Sequence, residues 1–160
     1  KYLDENNSET FAWQTSWGVS WRLIGGMIMT HGDDKGLVLP PKVAPIQVVI
    51  IPIYHSKEDK ENVLQKACQI KDSLSNNDIR VHLDDREQLT PGFKFNDWEM
   101  RGIPIRIEIG PKDIAKNQIV LARRHNQTKI SLDIDGLTEK TLSELKNIQK
   151  EMFDTAKKNT

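Results

Sequence analysis

Residues 46–53 read Ile-Gln-Val-Val-Ile-Ile-Pro-Ile, an apolar run rich in isoleucine and valine. A strand wetted on one face alternates apolar and polar side chains, whereas a near-continuous run is covered on both. The run therefore predicts a strand with a layer on each side, and helices must supply those layers. Downstream, residues 60–75 are helical, with Val63, Leu64, Ala67, Ile70 and Leu74 on one side. Asn76-Asn77-Asp78 makes a turn and residues 79–83 a second strand. Residues 92–101, behind Pro91, form a short helix with Phe93, Phe95 and Trp98 available for packing. Residues 105–109 alternate Ile, Arg, Ile, Glu, Ile, giving one apolar and one charged face. Strands over 118–123 and 129–133 flank the polar tetrad His125-Asn126-Gln127-Thr128 as a hairpin. Residues 138–158 form an amphipathic helix burying Leu142, Leu145, Ile148, Met152 and Phe153. The expected fold is α/β, a mixed sheet of about five strands with flanking helices and right-handed crossovers.

Before this unit the pattern differs. Residues 1–9 are polar without a period, and 10–15 read as a strand. A helix follows, with Ser20 as its N-cap and Gly32 closing it. Arg22 in its first turn opposes the helix dipole, and Gly25-Gly26 costs roughly 1 kcal/mol per glycine. Such a helix tolerates strain so that another backbone or a ligand can come close. Residues 36–45 hold Pro40, Pro41 and Pro45 and read as a short strand over 37–39, then a stiff connector.

With 160 residues, 37% hydrophobic and 29% charged, the chain suits one domain, or one small domain plus a piece of another. No apolar run nears the roughly 20 residues of a membrane helix, and no secretory pattern opens the chain; a cytoplasmic location fits. The single cysteine, Cys68, excludes an internal disulfide and a multi-cysteine zinc site, and its helical setting predicts a buried thiol. Basic and acidic residues balance at 23 each, so the whole chain carries no nucleic-acid charge signature. Residues 101–132 nevertheless hold seven basic residues against two acidic ones, fitting either a solvated face or a polyanion partner.

Two blocks then resemble a known family. Thr15-Ser16-Trp17-Gly18-Val19-Ser20 through Arg22, His31-Gly32-Asp33-Asp34-Lys35-Gly36-Leu37 and Leu39-Pro40-Pro41-Lys42-Val43-Ala44-Pro45 resemble motif 3 of the prolyl-tRNA synthetases, in the archaeal and eukaryotic-type branch. Pro91-Gly92-Phe93-Lys94-Phe95, Trp98-Glu99 and the stretch from Gly102 to Gly110-Pro111-Lys112-Asp113 resemble that family's anticodon-binding domain. The resemblance implies that residues 1–42 end a class II catalytic domain and 43–136 form an anticodon-binding domain. Residues 137–160 are then its last helix, leading toward a further domain.

By the same resemblance Arg22 lies over the adenine of ATP and reaches its terminal phosphate, tasks a planar, permanently charged guanidinium suits. Ser20 stands near the nucleotide, and Trp17 and Gly18 wall the proline pocket. Gly25-Gly26 permits close helix-on-sheet packing. Trp21 departs from the pattern, which has a small residue there. Glu99, Arg106, Lys112 and Asp113 fall on the anticodon-reading set. A carboxylate accepts from the Watson–Crick edge of guanine and an arginine donates to its O6 and N7, and proline anticodons carry two guanines. The plainer reading makes Arg106–Glu108 and Lys112–Asp113 surface ion pairs, and Phe93, Phe95 and Trp98 core. Asp84-Asp85-Arg86-Glu87 reads as a solvated loop.

The implied function is proline–tRNA ligation: activation of proline with ATP and Mg²⁺, then transfer to the 3′ end of proline tRNA. Positioning and charge neutralisation do the work, without a covalent enzyme intermediate. The full-length protein is expected to dimerise through its catalytic domain and to have no membrane partner. This piece alone is expected to be inactive and to bind no metal. Two other readings stay open: an RNA-binding module without catalysis, and a related class IIa synthetase for threonine, glycine or histidine.

Overall fold

The computed structural model describes residues 1–54 and 56–159. The chain begins with β1 (Tyr2–Leu3) and β2 (Glu9–Thr10), a short antiparallel pair. Of the strand expected over 10–15 only Thr10 is extended and paired; 11–20 is irregular and exposed, having no apolar layer to lie against. Next comes α1 (Arg22–His31), followed by β3 (Val48–Pro52), α2 (Lys57–Ser75) and β4 (Val81–Leu83). The rest of the chain forms α3 (Pro91–Met100), β5 (Ile105–Ile109), α4 (Pro111–Ala115), β6 (Gln118–Arg123), β7 (Lys129–Asp133) and α5 (Leu137–Lys158).

Five strands form one mixed sheet in the order β4-β3-β5-β6-β7. The first three are parallel, with Val48 opposite both Val81 and Ile105; β6 and β7 are antiparallel. Period-2 alternation sorts the side chains to two faces. Val48, Ile50, Ile105, Ile107, Ile119 and Leu121 meet α2 and α5 through Val63, Ala67, Ile70, Leu74, Leu145, Ile148 and Met152. On the opposite face Val49 and Ile51 pack against Trp98 of α3 and Ile103. β3 is thus buried on both sides, as its composition requires. The second cover stops there. Beyond it, Arg106 and Glu108 of β5, Val120 and Ala122 of β6, and Lys129 and Ser131 of β7 share an uncovered face, as their register shows.

Local signals explain the helix starts. Ser56 Oγ accepts from Asp59 N at 3.1 Å to begin α2, and Thr90 Oγ1 accepts from Phe93 N at 3.3 Å ahead of Pro91. α1 differs: its N-cap is Trp21, not Ser20, and no side chain caps it. Gly32 does close it, its N–H donating to Ile28 O at 2.7 Å. Nothing comes within 4 Å of a Cβ built on Gly25 or Gly26, so the close approach expected of that pair is not made within these residues.

Four other expectations change. Residues 37–39 are no strand, although Leu37 N donates to Met100 O and Leu39 N to Gly102 O, at 2.9 and 3.1 Å. Cys68 is exposed, because one step past buried Ala67 the helix turns it to solvent. Phe153 is 63% exposed for the same reason, beside buried Met152. Asp84 is fully buried rather than solvated. Arg86 donates to both its oxygens at 2.9 and 2.7 Å, and Trp98 Nε1 donates at 2.7 Å. Burial opposes the charge on Asp84, but these hydrogen bonds outweigh it and hold its carboxyl well below the usual range.

Candidate nucleic-acid interface

The uncovered sheet face is not flat. Where α3 ends beside β5 and the β6–β7 turn, a cavity of about 160 Å³ opens. Its floor is apolar, from Val49, Trp98, Ile103 and Ala122. Around the rim stand Glu99, Arg106, Lys129, Lys35 and Gln127. Glu99 is placed by α3, whose buried anchor is the neighbouring Trp98, so the carboxylate comes out at the cavity edge. Arg106 is placed by the alternation of β5 and lies 4.3 Å over the Phe95 ring, a cation–π contact. Its Nε and Nη2 donate to Glu108 Oε1 at 3.1 and 2.9 Å, and Lys129 lies 3.0 Å from the same oxygen. Glu108, itself buried, therefore acts as an internal counter-ion rather than as half of a surface ion pair. The Nη1 edge of Arg106 has no partner among the described residues.

The four residues assigned to the anticodon do not all meet. Glu99 and Arg106, from a helix and a strand, line the one cavity. Lys112 and Asp113 do not: they belong to α4, beyond the far end of β5. Lys112 is exposed, and Asp113 Oδ2 accepts from Gly110 N at 2.9 Å, tying down its own helix start. No ion pair joins Lys112 to Asp113. Lys35 and Gln127 belong to the cavity and were missed by sequence reasoning. Lys35 Nζ lies 3.4 Å from Glu99 and 2.7 Å from Gln127 Oε1, closing the rim from both sides. Only the turn signal around Gln127 hinted at its exposure.

The basic excess over 101–132 is largely met from elsewhere. Arg123 pairs with Glu144 and Glu151 of α5, Arg124 with Asp33, and Arg101 with Asp97. Lys112 and Lys116 have no ion pair among the described residues. The cations at the cavity, Lys35, Arg106 and Lys129, are themselves ion-paired, and Lys112 and Lys116 lie apart from it, so a polyanion would meet no broad basic sheet here.

Upstream, Trp17, Gly18, Ser20 and Arg22 are all exposed on the irregular segment and the first turn of α1. Ser20 supports the helix only through its carbonyl, which accepts from Leu23 N at 3.1 Å. None of these four residues lines the cavity. The first turn of α1 carries no acidic residue, so Arg22 is unopposed there.

A model of the family described as the anticodon binding domain matches residues 47–145. The chain belongs to the anticodon-binding-domain family. The matched region holds the whole five-stranded sheet and all of the cavity lining except Lys35. Near the full length of the chain is similar to curated proteins named proline–tRNA ligase. That of Cenarchaeum symbiosum is 57% identical over 99% of this chain and 33% of its own length. That of Natranaerobius thermophilus is 50% identical, over 98% of this chain and 32% of its own length. The chloroplastic/mitochondrial one of Arabidopsis thaliana is 48% identical, over 98% and 30%. The chain spans about a third of the length of the curated relatives it matches.

Among the described residues no three His, Cys, Asp or Glu side chains converge as metal ligands, and no helix is long and apolar enough to cross a membrane.

Proposed function

We propose that this chain is the anticodon reader and the adjoining edge of the catalytic site of a proline–tRNA ligase. One observation carries the reading: Glu99 and Arg106, on different elements, open onto a single cavity in an anticodon-binding-domain fold. A carboxylate and a guanidinium at one rim complement the Watson–Crick and Hoogsteen edges of a splayed guanine, and the apolar floor favours its ring. Lys112 serves the neighbouring nucleotide or its phosphate from α4. Asp113 supports the reading indirectly, by fixing α4.

Residues 1–42 belong with the catalytic domain, 43–136 form the anticodon-binding domain, and 137–160 its last helix. Arg22 and Ser20 then face ATP, and Trp17 and Gly18 face proline, once the remaining two thirds of the protein supplies the opposite walls. Arg22 contributes a stacking plane and charge for a phosphate; it transfers no proton and forms no bond to substrate. No ligand set for Mg²⁺ exists among the described residues of this chain, so its ligands would come from the rest of the protein. Dimerisation is likewise assigned to that part, and the compartment to the cytoplasm.

The test is proline-dependent ATP–pyrophosphate exchange by the full-length protein, run with proline, threonine, glycine and histidine in turn. The reading predicts exchange with proline alone, reduced at least about a hundredfold by Arg22→Ala, in keeping with the loss of one preorganised charge contact. No exchange with any of them would favour an RNA-binding module; exchange with another amino acid would favour its class IIa relative.

A further inference from the structure

Asp33 and Arg124 are 91 residues apart and meet in the tightest polar contact between the two parts of the chain. Arg124 Nη1 and Nη2 donate to the two carboxylate oxygens of Asp33 at 2.7 and 2.6 Å. Its Nε donates in a third direction, to the main-chain oxygen of Glu99 at 2.8 Å. The Arg124 side chain is only 3% exposed. A guanidinium is planar and its donors are fixed relative to one another, so its partners cannot shift independently without losing a charge-assisted bond.

What it joins is specific. Asp33 follows α1 directly, and its turn is closed by reciprocal main-chain bonds with Gly36, both at 3.1 Å. Gly36 has φ +127°, and a Cβ there would lie 2.6 Å from Met100 O, so the turn presses on the end of α3. Lys35, from the same turn, reaches the Glu99 carboxylate. One face of Arg124 therefore holds the helix that begins with Arg22, and another holds the backbone of Glu99.

We propose that Arg124 is a positioning residue that couples occupancy of the Glu99–Arg106 cavity by an anticodon base to the setting of α1. This rests on the function proposed above. A base drawn onto Glu99 moves or stiffens its main chain, Arg124 follows, and the Asp33 turn carries the change to α1. Coupling between sites is typically 5- to 150-fold, within reach of one bidentate contact made by a buried guanidinium.

The experiment compares the full-length protein with Asp33→Asn and, separately, Arg124→Lys. Each is assayed for Kd, kcat and KM with proline tRNA and with a version whose anticodon guanines are replaced. Proline activation without tRNA checks folding, and Asp33→Asn should hold it within about twofold. In the unaltered protein the replaced anticodon should weaken binding and also lower kcat roughly tenfold. In both variants the kcat penalty should shrink below about threefold while the Kd penalty persists. A kcat penalty unchanged in both variants overturns the coupling, as does a replacement that affects Kd alone in the unaltered protein. A replacement that changes neither constant there overturns the anticodon reading itself, and the coupling with it.

Discussion

Arg106 holds one edge against Glu108 and leaves another toward the cavity, so its removal should act twice. Arg106→Ala should weaken binding of a guanine anticodon by about 1–3 kcal/mol and relax discrimination at that position. It should also leave Glu108 with Lys129 as its remaining ion-pair partner. Glu99→Gln, by contrast, should spare affinity for other bases and lose preference for guanine; filter binding with a set of anticodon variants reads both. Asp84 belongs to stability instead. Asp84→Asn leaves the buried Lys94 without a carboxylate and Arg86 with Asp97 alone, and should cost about 3 kcal/mol in denaturant unfolding. Asp33 adds a pH signature: hydrogen bonding to Arg124 holds its carboxyl down at about 2, against 3.8 ordinarily. A depressed carboxylate stabilises the fold fully above its unfolded value and loses that contribution as pH falls from about 4 toward 2. The unfolding midpoint should therefore drop over that window, and less steeply in Asp33→Asn. None of these polar partnerships is written in local pattern. Arg124 finds Asp33 across 91 residues, and an Asp-Asp-Arg-Glu string looks solvated until Trp98 is folded over it.

Elements with a strong period were legible. β3, α2, β5, the β6–β7 hairpin and α5 lie within a few residues of where periodicity puts them, because burial against a shared sheet enforces the same pattern that the sequence displays. α4 was not, since five residues are too few to show a helical period. Residues 37–39 mimic a strand because their main chain does bond, but to the end of α3 rather than to a strand. The glycines of α1 and of the following turn separate two causes. Gly36 is set by geometry, with positive φ and backbone at 2.6 Å, and Gly36→Ala should lower stability by about 2 kcal/mol or more. Gly25 touches nothing, so Gly25→Ala should raise helix content of the isolated chain by about 1 kcal/mol of local stability, read by circular dichroism. If the pair serves a close approach by the rest of the protein, the same change should lower proline activation in the full-length form.

Across the whole molecule burial is uneven: β3 is buried along its length, whereas α1 has no buried residue. Trp13, Trp17 and Trp21 are almost wholly exposed, with Leu23 and Met29 beside them, whereas Trp98 is buried. An apolar surface of this kind is the type that marks an interaction site. Tryptophan emission from the isolated chain should accordingly be red-shifted and readily quenched by acrylamide. With no net charge, and with Lys35, Arg106 and Lys129 at the cavity already paired with carboxylates, RNA binding should rely on the cavity more than on counter-ion release, and its salt slope should be shallow. The family was legible from two ordered motif blocks, while the cavity's closure by Lys35 and Gln127 needed the turn after α1 to be folded against the β6–β7 turn. The decisive measurement is equilibrium binding of this chain to proline tRNA and to the same tRNA with its anticodon guanines replaced. Discrimination of roughly tenfold or more, lost in Arg106→Ala, is the predicted result. Equal affinity for the two tRNAs would contradict it.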